Sequence, residues 1–354
     1  MSVNWMRHFE LQLLDKDGKG INLGDLRVTF NIEWFNLSSE SSVGTFKIYN
    51  VSAETANKIA GEEFSKIRVI AGYDGLEQVV SVDQVNKPRE IDPSQVGQRD
   101  GENVGLIFSG DIRYTMTGKD NPVDSYVLIQ ASQSGFAFAS TMTGTTLAAG
   151  WDYAEMDRTL MKDFNANGVT TGQTPEMPKT KFPRGRVLFG MTRHLMDNVA
   201  TQCSATWMLV DGKREMVADD EAVHKAIVLN SSTGLIGMPQ QTMGNGVNVK
   251  CLINPNIRVN GLIQLDQASV FRTPLGTGDI AMAGGRITDQ NTDGNISLTG
   301  TKAQPASLAT DGVYIVRGIL YTGDTRGQAW YMDMMCDARG AADLQSSKAI
   351  QTWS

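Results

Sequence analysis

Apolar and polar positions alternate at a spacing of two through much of the chain, which predicts half-buried strands. Phe9, Leu11 and Leu13 alternate and run into Asp15-Lys16-Asp17-Gly18-Lys19-Gly20, a strand followed by a turn. Leu26, Val28, Phe30, Ile32 and Trp34 alternate strictly and make the clearest strand of the sequence. Phe46 and Ile48 form another, and Ile67, Val69 and Ala71 a further one that closes at Gly72. Between them, Ser52 is placed to cap a helix over 53–64, with Glu54 in its first turn. Residues 77–103 lose all periodicity and carry Pro88, Pro93, Gly97 and Gly101, which predicts a long polar loop.

Two later stretches share one pattern. Residues 105–115 and 312–322 match at a constant offset of 207, with Gly105/Gly312, Ile112/Ile319, Tyr114/Tyr321 and Thr115/Thr322 identical. Each is followed by a polar turn and a second apolar run: Tyr126-Val127-Leu128-Ile129 in the first, Trp330-Tyr331-Met332 in the second. Strand, turn, strand is a hairpin pattern, and a hairpin needs more sheet around it to be stable. Both hairpins also follow a long polar insertion, 77–103 and 271–311. The sequence therefore predicts two related β-domains.

The stretch between them reads differently. Ser140, Thr141, Thr143 and Gly150 belong to a Thr-, Ala- and Gly-rich segment, and Pro175, Pro178 and Pro183 mark connections. Leu188, Met191, Leu195, Val199 and Cys203 recur at helical spacing, and Asp211-Gly212 joins the strands 207–210 and 214–217 as a hairpin turn. Val247, Val249 and Cys251 form a strand, Asn254-Pro255-Asn256 a turn, and Ile257, Val259, Gly261, Ile263 and Leu265 a further alternating strand. The expected fold is α+β, mainly β: a first tube-like β-barrel or sandwich domain at 1–130, a small middle α/β domain at 131–228, a second tube-like β-domain at 229–340 and a tail at 341–354.

Composition narrows the class. The 354 residues exceed one ordinary core, and a content of 41% hydrophobic and 20% charged residues is that of a soluble globular protein. The formal net charge of −7 argues against a nucleic-acid-binding surface. No apolar run approaches the roughly 18 residues of a membrane span, and the N-terminus lacks a secretory layout. Cys203, Cys251 and Cys336 are far apart and sit in apolar runs, so they read as buried thiols without a disulfide framework, in a chain made in a reducing cytoplasm.

Candidate chemistry is sparse. His8, His194 and His224 offer no close pair for a metal. Asp15-x-Asp17 has Leu26 where a calcium loop needs Glu, so it reads as a turn. Gly18-x-Gly20 precedes no helix that could hold a phosphate, and Asn36-Leu37-Ser38 would bear sugar only in a secreted protein. Met332, Met334 and Met335 read as core. Asp152, Glu155 and Asp157 lie near Trp151 and Tyr153 and could in principle serve glycoside cleavage, but a solvated helix start is the preferred reading. No catalytic, cofactor-binding or metal residue is assigned, and no cofactor is expected.

The order of features resembles phage baseplate hub proteins. Residues 46–52, 70–73 and 106–112 resemble their first domain, and 143–150 the entry to their middle region. Residues 246–255, 312–316 and 323–327 resemble their second tube-like domain. The resemblance covers most of the chain in collinear order. It implies a non-enzymatic homotrimer in the virion baseplate, assembled in the host cytoplasm. Two tube-like domains from each of three chains would form a ring of six units, adapting a hexameric tail tube to a trimeric central spike. Tape measure and baseplate wedge proteins are further candidate partners. DNA would pass through without specific binding, the acidic chain repelling its phosphates. The alternatives are a tail-associated cell-wall hydrolase, whose activity would vanish on changing Asp152 or Glu155 to Ala, and a receptor-binding tail protein.

Overall fold

The computed structural model describes residues 6–35, 42–73, 103–218, 227–231, 233–241, 246–266, 270, 287–290, 296–299 and 312–338. Nearly all of the loop expected at 77–103, most of 271–311, Asn36-Leu37-Ser38, the acids around His224 and the tail lie outside these residues.

The chain is mainly β. The first strands are β1 (Arg7–Leu14), β2 (Gly20–Asn22), β3 (Val28–Phe35) and β4 (Val43–Tyr49), followed by α1 (Ala53–Ala60). Then come β5 (Lys66–Tyr73), β6 (Asn103–Lys119) and β7 (Ser125–Ser132). The middle stretch holds α2 (Gly135–Ser140), β8 (Met142–Leu147), α3 (Tyr153–Ala166) and β9 (Thr170–Thr171). It continues with β10 (Arg186–Met191), α4 (Thr192–Gln202), β11 (Ala205–Val210) and β12 (Lys213–Ala218). The last part has β13 (Ile227–Leu229), β14 (Gln240–Gln241), β15 (Gly246–Leu252), β16 (Leu262–Leu265), β17 (Ile287–Gln290), β18 (Ile296–Thr299), β19 (Val313–Asp324) and β20 (Trp330–Ala338).

The strand order repeats. In the first part the neighbours run β3-β4-β7-β6-β5-β1; in the last they run β14-β15-β20-β19-β16-β13. Taken in chain order within each part, the two sequences of neighbours are the same. Every corresponding pair is antiparallel except the outermost, where β13 lies parallel to β16 while β1 lies antiparallel to β5. The residue match at offset 207 is nevertheless out of step. The bulge in β6 falls at Arg113 and that in β19 at Arg317, three residues short of that offset. Tyr321 consequently points into the core, whereas Tyr114 lies on the other face of its hairpin, beside Gln130, and is exposed. A bulge reverses the inside–outside alternation of everything beyond it, which a match of residue types does not register.

The two parts share one sheet, because β3 pairs antiparallel with β19, and one continuous core cluster, from Leu11 to Ala131 and from Leu229 to Ala338. The antiparallel order also sorts the connections. The hairpin turns after β6 and β19 emerge at one end of the sheet, with α1; the long connections before those strands, and the exits of β7 and β20, lie at the other.

A separate core fills the middle stretch, with Trp151, Met156, Leu160, Phe164, Met196, Val199 and Trp207 buried. It corrects several sequence expectations. The helical spacing read from Leu188 begins too early, since Leu188 lies in β10 and the helix starts at Thr192. The helix α3 went unread, although Met156, Leu160 and Phe164 follow helical spacing. The helix after Ser52 ends at Ala60, not at 64. Only 262–265 of the strand expected from Ile257 is extended, the rest being turns. The insertion at 271–311 contains the hairpin β17–β18. The Asp211-Gly212 turn is as expected, with both residues at positive φ.

Candidate functional site

No catalytic constellation assembles from the acidic residues considered above. Asp152 caps α3 by accepting from the Glu155 N–H at 2.8 Å, and Glu155 sits exposed in the first turn. Asp157 departs from the expectation of a solvated position: it is buried and accepts from Arg214 at 2.8 Å. The three carboxylates thus serve a cap, a surface and an internal ion pair. His8 lies beside Glu10 at 3.1 Å, and His194 is on the exposed side of α4, within 3.3 Å of Arg193. No cluster of metal-ligating side chains occurs among the described residues. Cys251 and Cys336 are buried, and burial pushes both thiols above their ordinary range; Cys203 is half-buried. Met332 and Met334 are core, whereas Met335, on the opposite face of β20, is exposed.

The chemistry the fold does build is a strand-to-strand contact between its two parts. Residues 318–324 of β19 pair with 35–29 of β3. Phe30 stacks on Phe9 at 5.3 Å and meets Trp330 edge-on at 5.7 Å, so the aromatic cluster straddles the junction. Gly323 is required there: a Cβ on it would come within 2.2 Å of the Phe30 ring. The turn after β19 is locked onto the residues before β3. Thr325 N–H donates to Val28 O at 3.0 Å, the Val28 N–H donates to Thr325 Oγ1 at 3.0 Å, and Thr325 Oγ1 donates to Leu26 O at 3.1 Å. Arg27 pairs with Asp324 at 2.8 Å, Arg326 donates to Asp25 O at 2.7 Å, and Arg7 donates to Gly327 O at 2.7 Å while lying over Trp330. Sequence reasoning missed this junction, because pairing partners about 290 residues apart leave no local signal.

Two corresponding edges carry no strand among the described residues. On β6 the edge that pairs with β5 is covered up to Asp111, and Ile112 N–H donates to Ser65 O. Beyond that point β6 is paired only with β7. Tyr114, Met116 and Val123 of this hairpin are exposed, Val123 to 85%. On the other side, Leu235 bridges Cys251, and Gln240 and Gln241 pair with Asn248 and Val247, so 235–241 run along β15 as β3 runs along β4. Ile236 and Met238 lie exposed on this segment, Met238 to 57%.

The non-core face of the sheet is polar. It carries Asn31, Glu33, Lys47, Gln130, Asn248, Lys250 and Asp333. Lys47 is paired with Asp120 at 2.6 Å and Lys250 with Asp333 at 3.5 Å. The Asp120 bond holds the Lys47 ammonium above its ordinary range and the Asp120 carboxyl below its own.

No family model matches the sequence, and no curated protein sequence matches it. Solved structures do match. The tail protein from Neisseria meningitidis MC58 is similar with a TM-score of 0.51 over 94% of this chain and 97% of that one, at 8% identity. The 43 kDa tail protein of prophage MuSo2 from Shewanella oneidensis is similar with a TM-score of 0.52 over 94% of this chain and 98% of that one, at 7% identity. The fold is that of phage tail proteins. At such identity the likeness lies in strand order and register rather than in shared side chains, and it extends through the middle stretch as well as the sheet. A tail-protein fold also accords with a candidate site made of strand edges.

Proposed function

We propose that the protein is a structural baseplate hub of a phage tail or a related contractile injection system, working as a homotrimer and not as an enzyme. The observation that carries this reading is the repeated strand order. A chain with two units of one topology can occupy two equivalent places in a ring, so three chains supply six. Such a ring would match a hexameric tail tube on one side and a trimeric central spike on the other, with tape measure and wedge proteins as further contacts in the virion. The units proposed are 1–130, 131–228 and 229–340. The polar face of the sheet supports passage of DNA without binding: its lysines Lys47 and Lys250 each have a carboxylate partner, leaving little uncompensated positive charge for phosphates. The test is the native mass of the purified protein, alone and mixed with its tube and spike proteins. Three copies, and a stable complex with both, are expected. A chain that stays monomeric throughout at micromolar concentration overturns the reading.

A further inference from the structure

We infer that the open edge of β6 beyond Ile112 and the segment 235–241 are the two sides of one contact, each covered by a second copy of this chain. The inference rests on the hub reading and adds which residues meet. Its template is inside the chain. The strand β19 corresponds to β6, and β3 corresponds to 235–241, in the repeated strand order. Within the chain, β19 and β3 are paired. Their counterparts, β6 and 235–241, sit at the far ends of the same run of strands, and neither edge is paired among the described residues.

Three further observations agree. The first is length: seven residues of β19 pair with β3, and 113–119 and 235–241 each offer the same run. The second is the bulge. Arg113 and Arg317 sit at the same step of the two hairpins, so the strand beyond each presents its edge in the same phase. The third is composition. Tyr114, Met116 and Val123 on one side and Ile236 and Met238 on the other are large apolar side chains left in water, and both sets lie where the internal junction buries its own. An unpaired strand edge flanked by exposed apolar groups is a pairing template that a folded protein ordinarily covers. A copy docked in the manner of β3 on β19 would cover both sets together.

The register follows from the template. Tyr321 stands opposite Ile32; counted from the two bulges, Thr117 takes the place of Tyr321, and Gln241 takes that of Ile32 by its pairing with β15. Opposed residues of antiparallel strands have Cα atoms about 4.5–5.5 Å apart, within disulfide range. Thr117→Cys combined with Gln241→Cys, in a Cys203→Ser background, is therefore expected to form reducible links between copies on mild oxidation. Species of two and three linked chains should appear on a denaturing gel, and neither single cysteine should give them. Met116→Asp and Met238→Asp should each weaken self-association at least about tenfold while keeping the far-ultraviolet circular dichroism of the parent. Phe189→Asp, on the exposed face of β10, should not. A trimeric parent that gives no link and whose Asp variants stay trimeric overturns this contact and leaves the hub reading standing. A monomeric parent overturns the hub reading, and this contact with it.

Discussion

Arg214 is fully enclosed in the middle core, and its partner Asp157 is nearly so. Desolvation pushes the Asp157 carboxyl up and the Arg214 guanidinium down, against their mutual attraction. Asp157 Oδ1 and Arg214 Nε lack hydrogen-bond partners among the described residues, so the pair is incompletely satisfied. Removing one member is worse than removing both. Arg214→Met should cost about 3–5 kcal/mol by urea denaturation, and adding Asp157→Leu should recover most of it. In the single variant the stranded carboxyl has a raised folded pKa, so the native state holds its proton longer than the unfolded chain does. Stability of that variant should therefore fall as pH rises above about 4. Asp324 has the opposite sign. Burial pushes it up, but the bond from Arg27 and the backbone N–H groups of Arg326 and Gly327 outweigh this and hold it below the usual carboxylate range. Its contribution is complete above about pH 4 and is lost as pH falls through the lowered value. Asp324→Asn should cost about 0.5–1 kcal/mol near neutral pH, small because Arg27 is half exposed, and should blunt the acid limb of the stability curve.

At the scale of elements, the β3–β19 pair is where both close approach and register are strictest. Gly323→Ala would drive a methyl group into the Phe30 ring, and a loss of about 1–3 kcal/mol in thermal or urea unfolding is expected from the overpacking. The strands on either side of this junction were legible in the sequence because their alternation is local: Val28, Phe30, Ile32 and Trp34 point inward as their spacing requires. The Ser52 cap was legible for the same reason, its side chain accepting from the Thr55 N–H. What escaped depends on distance or on phase. Two-residue alternation at Ile257 and Val259 accompanied turns, since the backbone there bonds locally, Ile257 N–H donating to Asn254 O. The hairpin match found two related elements but set them three residues out of step, because a bulge shifts phase without changing composition. The candidate site was the least legible part, being defined by what an edge lacks rather than by which residues it holds.

At the scale of the molecule, one sheet and one apolar cluster bind residues 7–132 to 227–338, while the middle stretch packs around its own core. The two β-parts are thus rigidly set against each other by the β3–β19 pair, which fixes the rotation from one to the next. If the same contact recurs between copies, that rotation decides how many units close a ring, and the native mass measures it directly. The sorting of connections gives such a ring a direction. All hairpin turns of β6 and β19 would crowd one rim, and the middle stretch would hang from the other. A copy inserted upside down would set turns against exits and reverse the strand it offers to its neighbour. Assembly would therefore be one-way, with each rim committed to its own neighbour in the stack before any neighbour arrives.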